Sequence, residues 1–244
     1  MSKIIKPYKD SDATKKTQVA SMFDTISGNY DGLNRVITFG IDVKWRKKVV
    51  EIVKATEPKK ILDIATGTGD LAIMLSNSIS TAKIIGLDIS AGMLEVGNEK
   101  IKTLGLSNSI EMVLGDSEKI PYEDNYFDAI TVSYGVRNFE DLNKGLQEIH
   151  RVLKPGGTFV VLETSVPTKF PFKQGYQFHS KVILPFVGRL FSKDKTAYRY
   201  LSESANSFPY GEQFNLILNS AGFINVKDFI VTFGVSTIYK ANKQ

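Results

Sequence analysis

A chain of 244 residues is long enough for one α/β domain with a full hydrophobic core. It has no cysteine and only two histidines, so disulfides, thiolate zinc sites, cysteine nucleophiles and histidine-rich metal sites are excluded. The net charge of +5 is spread along the sequence and does not form a run typical of nucleic-acid binding. A weak attraction to anionic membrane lipid is compatible with this charge. Because we find neither a signal-peptide core nor an apolar run that could span a membrane, we expect a cytosolic protein.

Residues 1–57 are expected to form a helical cap, and from residue 58 to residue 165 apolar runs alternate with helical periodicity. This pattern predicts strands at Lys60–Ile64, Lys83–Leu87, Ile110–Leu114, Phe127–Val132 and Thr158–Leu162, and helices at Asp70–Asn77, Ala91–Leu104 and Leu142–Leu153. Alternating strands and helices form a doubly wound, mostly parallel sheet whose ligand crevice lies at the carboxyl ends of the strands. We therefore expect residues 58–165 to bind a cofactor.

The alternation ends after Glu163. Residues 166–207 are rich in proline, aromatic residues and lysine, and they predict a helical insertion on the substrate side with helices at Tyr176–Leu184 and Ala197–Asn206. Residues 208–244 predict a final helix and two strands, Glu212–Ser220, Val226–Ile230 and Ser236–Tyr239. A helix followed by an antiparallel strand pair is typical of the methyltransferase version of the Rossmann-like fold rather than of a dinucleotide dehydrogenase. We expect one domain over residues 1–244.

A glycine-rich turn follows the first predicted strand, in the sequence ILDIATGTGD at residues 61–70. Gly67 and Gly69 allow the backbone to turn sharply and to approach a ligand closely, and the next helix directs unpaired N–H groups at the same place. Asp88 ends the second strand at the distance expected of a ribose-binding acid, and Ala72 completes a G-x-G-x-x-A pattern. A dinucleotide and S-adenosylmethionine therefore compete here, with a turn that binds no ligand as the third interpretation.

The later strands also end in polar residues, namely Asp116, Ser117, Ser133 and Glu163. Asp116 and the N–H of Ser117 suit an adenine, which needs an acceptor for its amine and a donor for its ring nitrogen. Asp88 can accept both ribose hydroxyls. Asp63 and Thr68 would face the methionine end. Such a coincidence at one sheet edge argues for a ligand.

Four stretches resemble the class I S-adenosylmethionine-dependent methyltransferases: ILDIATGTGD, GLDIS, GDSEKIPYEDNYFDAI and RVLKPGG. Two longer stretches resemble the family that C-methylates demethylmenaquinone and the ubiquinone precursor ring: RVLKPGGTFVVLETS at residues 151–165 and YDGLNRVITFGIDVKW at residues 30–45. The second stretch departs from the family pattern at Leu33, Thr38 and Asp42, which stand where Met, Ser and His are usual. Asp42 leaves no imidazole at its position.

The resemblance implies S-adenosylmethionine as methyl donor, without a metal, and carries its contacts over to Thr68, Asp88, Asp116, Ser117 and Ser133. It also implies C-methylation of a prenylated quinol, with demethylmenaquinol to menaquinol, the final step of menaquinone biosynthesis, as the preferred reaction. The ubiquinone precursor ring, another small acceptor and a non-catalytic S-adenosylmethionine-binding subunit stay as alternatives. The sequence does not specify the ring, the prenyl length or the oligomeric state.

Two polar clusters are candidates for catalysis. Arg137 and Asn138 follow the fourth strand, where a guanidinium would favour a phenolate and an amide could orient the ring hydroxyl. Tyr30 and Asp31 lie on the amino-terminal segment, and Asp31 could accept the proton. The alternatives are structural: Arg137 could pair with Asp141, and Asn138 and Asp31 could cap helices.

The segment at residues 170–193 combines aromatic and aliphatic side chains with lysines. Its apolar residues could form a wall for a prenylated ring while its lysines meet phospholipid headgroups. A lid packed on the core is the alternative, and the two can coexist.

Overall fold

The computed structural model describes residues 5–183 and 194–244, which contain one seven-stranded sheet. Its strands are β1 Lys60–Ile64, β2 Lys83–Asp88, β3 Ile110–Leu114, β4 Phe127–Ser133, β5 Leu153–Thr164, β6 Phe223–Val231 and β7 Ser236–Lys243. Their order is β3-β2-β1-β4-β5-β7-β6, and β7 runs antiparallel to both of its neighbours while the other pairs are parallel. The predicted doubly wound sheet with an antiparallel C-terminal strand is confirmed.

The helices cover both faces of this sheet. They are α1 Lys15–Ile26, α2 Tyr30–Thr38, α3 Ile41–Lys54, α4 Asp70–Ser78, α5 Ala91–Thr103, α6 Leu142–Val152, α7 Phe172–Phe178, α8 Lys195–Ser207 and α9 Glu212–Ser220. Val49 of α3 and Leu75 of α4 belong to one core cluster, and Leu146 of α6 and Phe214 of α9 to the other. A parallel sheet covered on both faces needs apolar side chains in succession, and Ile61, Leu62 and Ile64 of β1 are fully buried.

A third core cluster joins the amino-terminal helix to the insertion. Met22 of α1 packs in it with Met93 of α5 and Tyr200 of α8, and all three side chains are buried. Asp24 of α1 also accepts hydrogen bonds from the Ser90 hydroxyl and the Gly92 N–H, just after β2. These contacts hold α1 against the carboxyl end of the sheet.

The observed strand β5 is longer than predicted. It begins at Leu153 instead of Thr158, because Leu153 pairs with Phe127 of β4 across a register shift before the regular pairing resumes. The predicted helix Leu142–Leu153 ends one residue earlier, at Val152, for the same reason. Pairing with a neighbouring strand decides this boundary, and local periodicity does not report it.

The insertion is helical, as predicted, with shifted limits. Helix α7 begins at Phe172 and is followed by a π-helical turn, His179–Ile183, where the sequence predicts a helix at Tyr176–Leu184. Leu184 lies outside the described residues. In the chain ranges 5–183 and 194–244, no helix combines the length and the apolarity needed to cross a bilayer.

Candidate active site

The turn after β1 contains three residues in left-handed backbone conformations, Ala65, Gly67 and Gly69, with φ angles of 52°, 58° and 79°. It lies against the end of β2, where the Gly67 N–H donates to Asp88 Oδ2 at 2.8 Å and the Ser90 N–H donates to Oδ1 at 2.9 Å. Burial raises the pKa of Asp88, and these N–H groups act in the opposite direction. The Asp88 carboxylate is therefore held in one position beside the glycine turn.

A first cavity lies at this sheet edge. Seven of the predicted site residues line it: Tyr30, Gly67, Asp88, Asp116, Ser117, Ser133 and Asn138. The Ser133 hydroxyl is buried, and no described residue offers it a hydrogen bond. A Cβ at Gly135 would come within 2.5 Å of the Ala65 Cβ, so the backbone there has no room for a side chain. Bare backbone, an orphaned hydroxyl and fixed carboxylates fit a nucleoside with several polar groups.

Asp63, Thr68 and Gly69 lie outside the lining of this cavity. The Asp63 carboxylate is buried within the sheet, where it accepts hydrogen bonds from Thr66 at 2.7 Å and from Thr131 at 2.6 Å. Burial raises its pKa to about 6, although the two hydroxyls favour the charged form. Asp63 therefore stabilises the glycine turn through Thr66 and does not face the cavity.

Asp31 takes part in a network of ion pairs that fixes α2 to the glycine turn. Its Oδ1 accepts from the Thr68 hydroxyl at 2.6 Å, and its Oδ2 lies 2.8 Å from the Lys100 ammonium. Lys100 also pairs with Asp70 at 2.6 Å, and Asp70 pairs with Arg35 of α2 at 2.8 Å. The Asp31 carboxylate is thus engaged by a cation and a hydroxyl, and it lines neither cavity.

A second, larger cavity adjoins the first. Its walls are mostly apolar side chains from the helices around the sheet edge and from the turn before β7, including Ile37, Phe39, Ile41, Trp45, Phe172, Leu201, Ala205, Phe233 and Val235. Tyr30 and Tyr134 line both cavities. The two spaces therefore meet at these two tyrosines, and the lining of the first is proportionally more polar than that of the second.

Arg137 lines the larger cavity from the short turn after β4, and its Nη1 donates to the buried Glu163 Oε1 of β5. Burial opposes the charge of Arg137, but Glu163 outweighs it and the pKa of the guanidinium is raised. The alternative pairing of Arg137 with Asp141 is wrong, because the Asp141 carboxylate caps α6 by accepting from the Lys144 N–H at 3.1 Å. Glu163 stood out in the sequence only as a polar strand end.

Asn138 is held by two tyrosines. Its Oδ1 accepts from the Tyr200 hydroxyl at 3.1 Å, and its Nδ2 donates to the Tyr134 carbonyl at 3.4 Å. Burial raises the pKa of Tyr200 to about 12, which keeps this phenol a donor. The alternative in which Asn138 caps the following helix is wrong, since Asp141 occupies that position.

The amino-terminal helix supplies site residues that no local sequence pattern indicates. The Lys16 ammonium lies 2.5 Å from Asp116 Oδ2 and 3.1 Å from Glu118 Oε2, over the first cavity. The neighbouring Lys15 ammonium donates to the Arg137 carbonyl at 2.9 Å, and burial lowers its pKa to about 8. These partners are a hundred or more residues apart in sequence, so no local pattern reports them.

Asp42, the departure from the family pattern, is buried and shared by two cations. Its carboxylate pairs with Arg35 and Arg46 and accepts from the Thr38 hydroxyl at 2.7 Å. Burial acts to raise its pKa, but the hydroxyl and the two guanidiniums outweigh burial and lower it. A carboxylate here ties α2 to α3 at the wall of the larger cavity.

The sheet order with an antiparallel β7 and a ligand crevice at the carboxyl edge defines a class I methyltransferase fold. Two solved structures share this fold. One is the [4+2]-cyclase SpnF, with a TM-score of 0.69 and 18% identity, and the match covers 95% of this chain and 97% of that one. The other is a possible histamine N-methyltransferase of Thermotoga maritima, with a TM-score of 0.64 and 18% identity, and the match covers 92% of this chain and 99% of that one. Because one of them is titled a cyclase, the fold alone does not specify the reaction.

The chain belongs to the ubiE/COQ5 methyltransferase family, whose model matches residues 11–243. It is 46% identical over 239 residues to a demethylmenaquinone methyltransferase of Bacteroides fragilis, which covers 98% of this chain and 97% of that protein. It is 42% identical over 230 residues to a ubiquinone/menaquinone biosynthesis C-methyltransferase of Geotalea daltonii, with coverage of 94% and 97%. The resemblance stated from the sequence is confirmed, and the family implies S-adenosylmethionine.

Proposed function

We propose that this chain transfers a methyl group from S-adenosylmethionine to a ring carbon of demethylmenaquinol, giving menaquinol. The observation that carries the proposal is the junction of the two cavities at Tyr30 and Tyr134. The carboxylates and hydroxyls of the first cavity suit the methyl donor, and the apolar second cavity suits a prenylated ring. The buried Arg137 lines the second cavity. The names of relatives that are 39–46% identical support this acceptor.

The first cavity supplies groups that match each part of the donor. Asp88 would accept the ribose hydroxyls, and Asp116 with the Ser117 N–H would bind the adenine. Ser133 offers a hydroxyl that no described residue satisfies, and Gly67 leaves its backbone accessible. When bound, S-adenosylmethionine supplies an electrophilic methyl group on a cationic sulfur.

Asp63, Thr68 and Gly69 are proposed to shape the turn rather than to contact the donor. Asp63 holds Thr66, and the Thr68 hydroxyl is bonded to Asp31. For the same reason we assign Asp31 the role of positioning α2, in place of proton acceptor, because both of its carboxylate oxygens are already engaged by the Thr68 hydroxyl and the Lys100 ammonium.

Arg137 is proposed to activate the acceptor. A quinol ring carbon becomes nucleophilic when the neighbouring hydroxyl ionises, because the phenolate pushes charge onto that carbon. Arg137, held in place by Glu163, would stabilise this oxyanion in a site screened from water. Asn138 and Tyr30 line the other side of the junction and would orient the ring.

The experiment is incubation with methyl-labelled S-adenosylmethionine and a short-chain demethylmenaquinol. We expect the label on the ring carbon, and label on oxygen would contradict the proposal. A benzoquinol analogue offered in parallel tests the ubiquinone precursor as acceptor. Binding of the donor without turnover on any quinol would favour the non-catalytic alternative.

The chain is proposed to act as a single domain, with residues 1–57 as a cap, 58–165 as the cofactor core, 166–207 as the substrate-side insertion and 208–244 closing the sheet. The third core cluster supports a single domain, because it packs the cap and the insertion together. We expect one cooperative thermal transition; two transitions in calorimetry would contradict it.

A further inference from the structure

Exposed phenylalanines lie in or next to the lining of the larger cavity. Phe39, Phe170 and Phe233 are 74%, 79% and 67% exposed. Phe39 and Phe233 line the cavity itself, and Phe170 precedes Pro171, which also lines it. The Phe172 ring stacks on Phe233 with centroids 3.8 Å apart. We call Phe39, Phe170, Phe172 and Phe233 the phenylalanine rim.

Two residues of the phenylalanine rim combine this exposure with a left-handed backbone conformation. Phe39 ends α2 with a φ of 52°, and Phe233 lies in the turn before β7 with a φ of 56°. Glycine adopts this left-handed region without the penalty that a side chain brings, so a bulky aromatic there is an uncommon choice. Both rings remain mostly exposed, although Phe233 stacks on Phe172, so a large part of their apolar surface faces solvent.

The segment that contains Phe170 and Phe172 has charges of one sign. Lys169 and Lys173 flank Phe170 and Phe172 in sequence, and both are exposed. Residues 165–183 contain three lysines and no aspartate or glutamate. Aromatic rings together with lysines are the combination that binds at the headgroup level of an anionic bilayer, where rings enter the interface and ammonium groups meet phosphates.

We propose that the phenylalanine rim and its lysines dock the protein on an anionic lipid bilayer, with the entrance of the larger cavity against the membrane. This deepens the proposed function and rests on it, since a prenylated quinol is a lipid. Docking in this orientation lets the ring enter the cavity while the prenyl chain stays in the hydrocarbon. The ring then reaches Arg137 without passing through water.

The test is co-sedimentation with vesicles of phosphatidylcholine alone and of phosphatidylcholine mixed with phosphatidylglycerol. Two variants address the rim without touching the cavity lining, Phe170→Ser and the double variant Lys169→Glu/Lys173→Glu. The matched control is Leu104→Ser, which changes a side chain that is 55% exposed at the end of α5. We expect binding to mixed vesicles to weaken about tenfold in the charge variant and measurably in Phe170→Ser, with no change in the control.

Equal binding by wild type and both rim variants would overturn the proposal, as would wild-type chain that stays in the supernatant with mixed vesicles. A rim variant that loses self-association in sedimentation equilibrium but keeps vesicle binding would overturn it in favour of a second copy of this chain. Turnover of a short-chain, water-soluble quinol should be unchanged in both rim variants. Vesicle binding needs no substrate, so a chain that binds vesicles but methylates no quinol contradicts the proposed function alone.

Discussion

At the scale of single residues, Asp88 has the best-defined position in the first cavity. Backbone N–H groups on two sides fix its carboxylate, so little conformational freedom is lost when a ligand binds. Its two oxygens keep further lone pairs for hydroxyl donors. The residue therefore combines a fixed geometry with unused acceptor capacity.

We expect Asp88→Asn to weaken S-adenosylhomocysteine binding by about 10- to 100-fold, because a hydrogen bond to a charged group contributes about 1.5–3 kcal/mol. Titration calorimetry measures the Kd. The exposed carboxylate of Asp124 gives a control, Asp124→Asn, which should bind as wild type does. A change of less than about twofold in Asp88→Asn would remove this residue from the proposed site.

Arg137 and Glu163 form a buried pair in which each partner retains one unsatisfied atom, Nε and Oε2, among the described residues. We expect Arg137→Gln to lower kcat by about 10²- to 10³-fold, the usual loss when one oxyanion donor is removed, with little change in S-adenosylhomocysteine affinity. The pH–rate profile should move to higher pH, because ionisation of the phenol is no longer favoured. Steady-state kinetics over a pH series checks both.

The control for Arg137→Gln is Arg199→Gln, which changes an exposed arginine on α8. If Arg137→Gln lowered donor affinity as much as kcat, the residue would belong to the donor site and not to the acceptor. An unshifted pH–rate profile would contradict the role in ionising the phenol.

At the scale of secondary-structure elements, helix α1 covers the donor cavity. Val19 and Phe23 of this helix line the cavity. Lys16 pairs with the carboxylates of Asp116 and Glu118, which follow β3. The helix begins at a Thr14 cap, whose side chain accepts from the Thr17 N–H. This helix therefore forms one wall of the donor cavity.

We expect Lys16→Ala to raise the Kd of S-adenosylhomocysteine about two- to fivefold through a faster dissociation rate, since a partly exposed ion pair contributes roughly 0.2–1 kcal/mol. Stopped-flow displacement measures the rate, and Lys9→Ala, at an exposed pair with Glu203, is the control. Tighter binding in Lys16→Ala would mean instead that Lys16 competes with the adenine for Asp116.

At the scale of the whole molecule, the centre of the sheet contains a buried acid. Asp63 lies on β1, which has a neighbouring strand on each side. Burial raises its pKa to about 6. In the native state it therefore holds a proton over a pH range in which the unfolded chain has lost it. Stability conferred by the protonated form is lost as the pH rises from about 4 through about 6.

We expect the free energy of unfolding of wild type to fall by roughly 3 kcal/mol relative to Asp63→Asn between pH 4 and pH 7, from a shift of about two pK units. Guanidinium unfolding at both pH values measures the difference. Asp128→Asn is a control of opposite sign: burial opposes its charge, but Lys154 and two backbone N–H groups lower its pKa, so its contribution grows with pH. A difference that does not depend on pH would contradict the burial of an ionisable Asp63.

The sequence by itself determined the order and the type of the central elements. Strands β1 and β3 and helix α9 have the predicted limits, because local periodicity and the helix and turn signals around them agree. It also determined that Asp88, Asp116, Ser117 and Ser133 meet, since the carboxyl ends of neighbouring parallel strands share one edge.

Only the tertiary structure decided which side chains pair across that edge. Arg137 pairs with Glu163 instead of the nearer Asp141, Asp31 is taken up by Lys100, and α1 closes over the donor cavity. Each of these contacts joins elements far apart in sequence, and their distances depend on how helices pack on the sheet. Spacing along a chain specifies a strand or a turn, whereas the partner of a buried charge is specified by the packing of the whole domain.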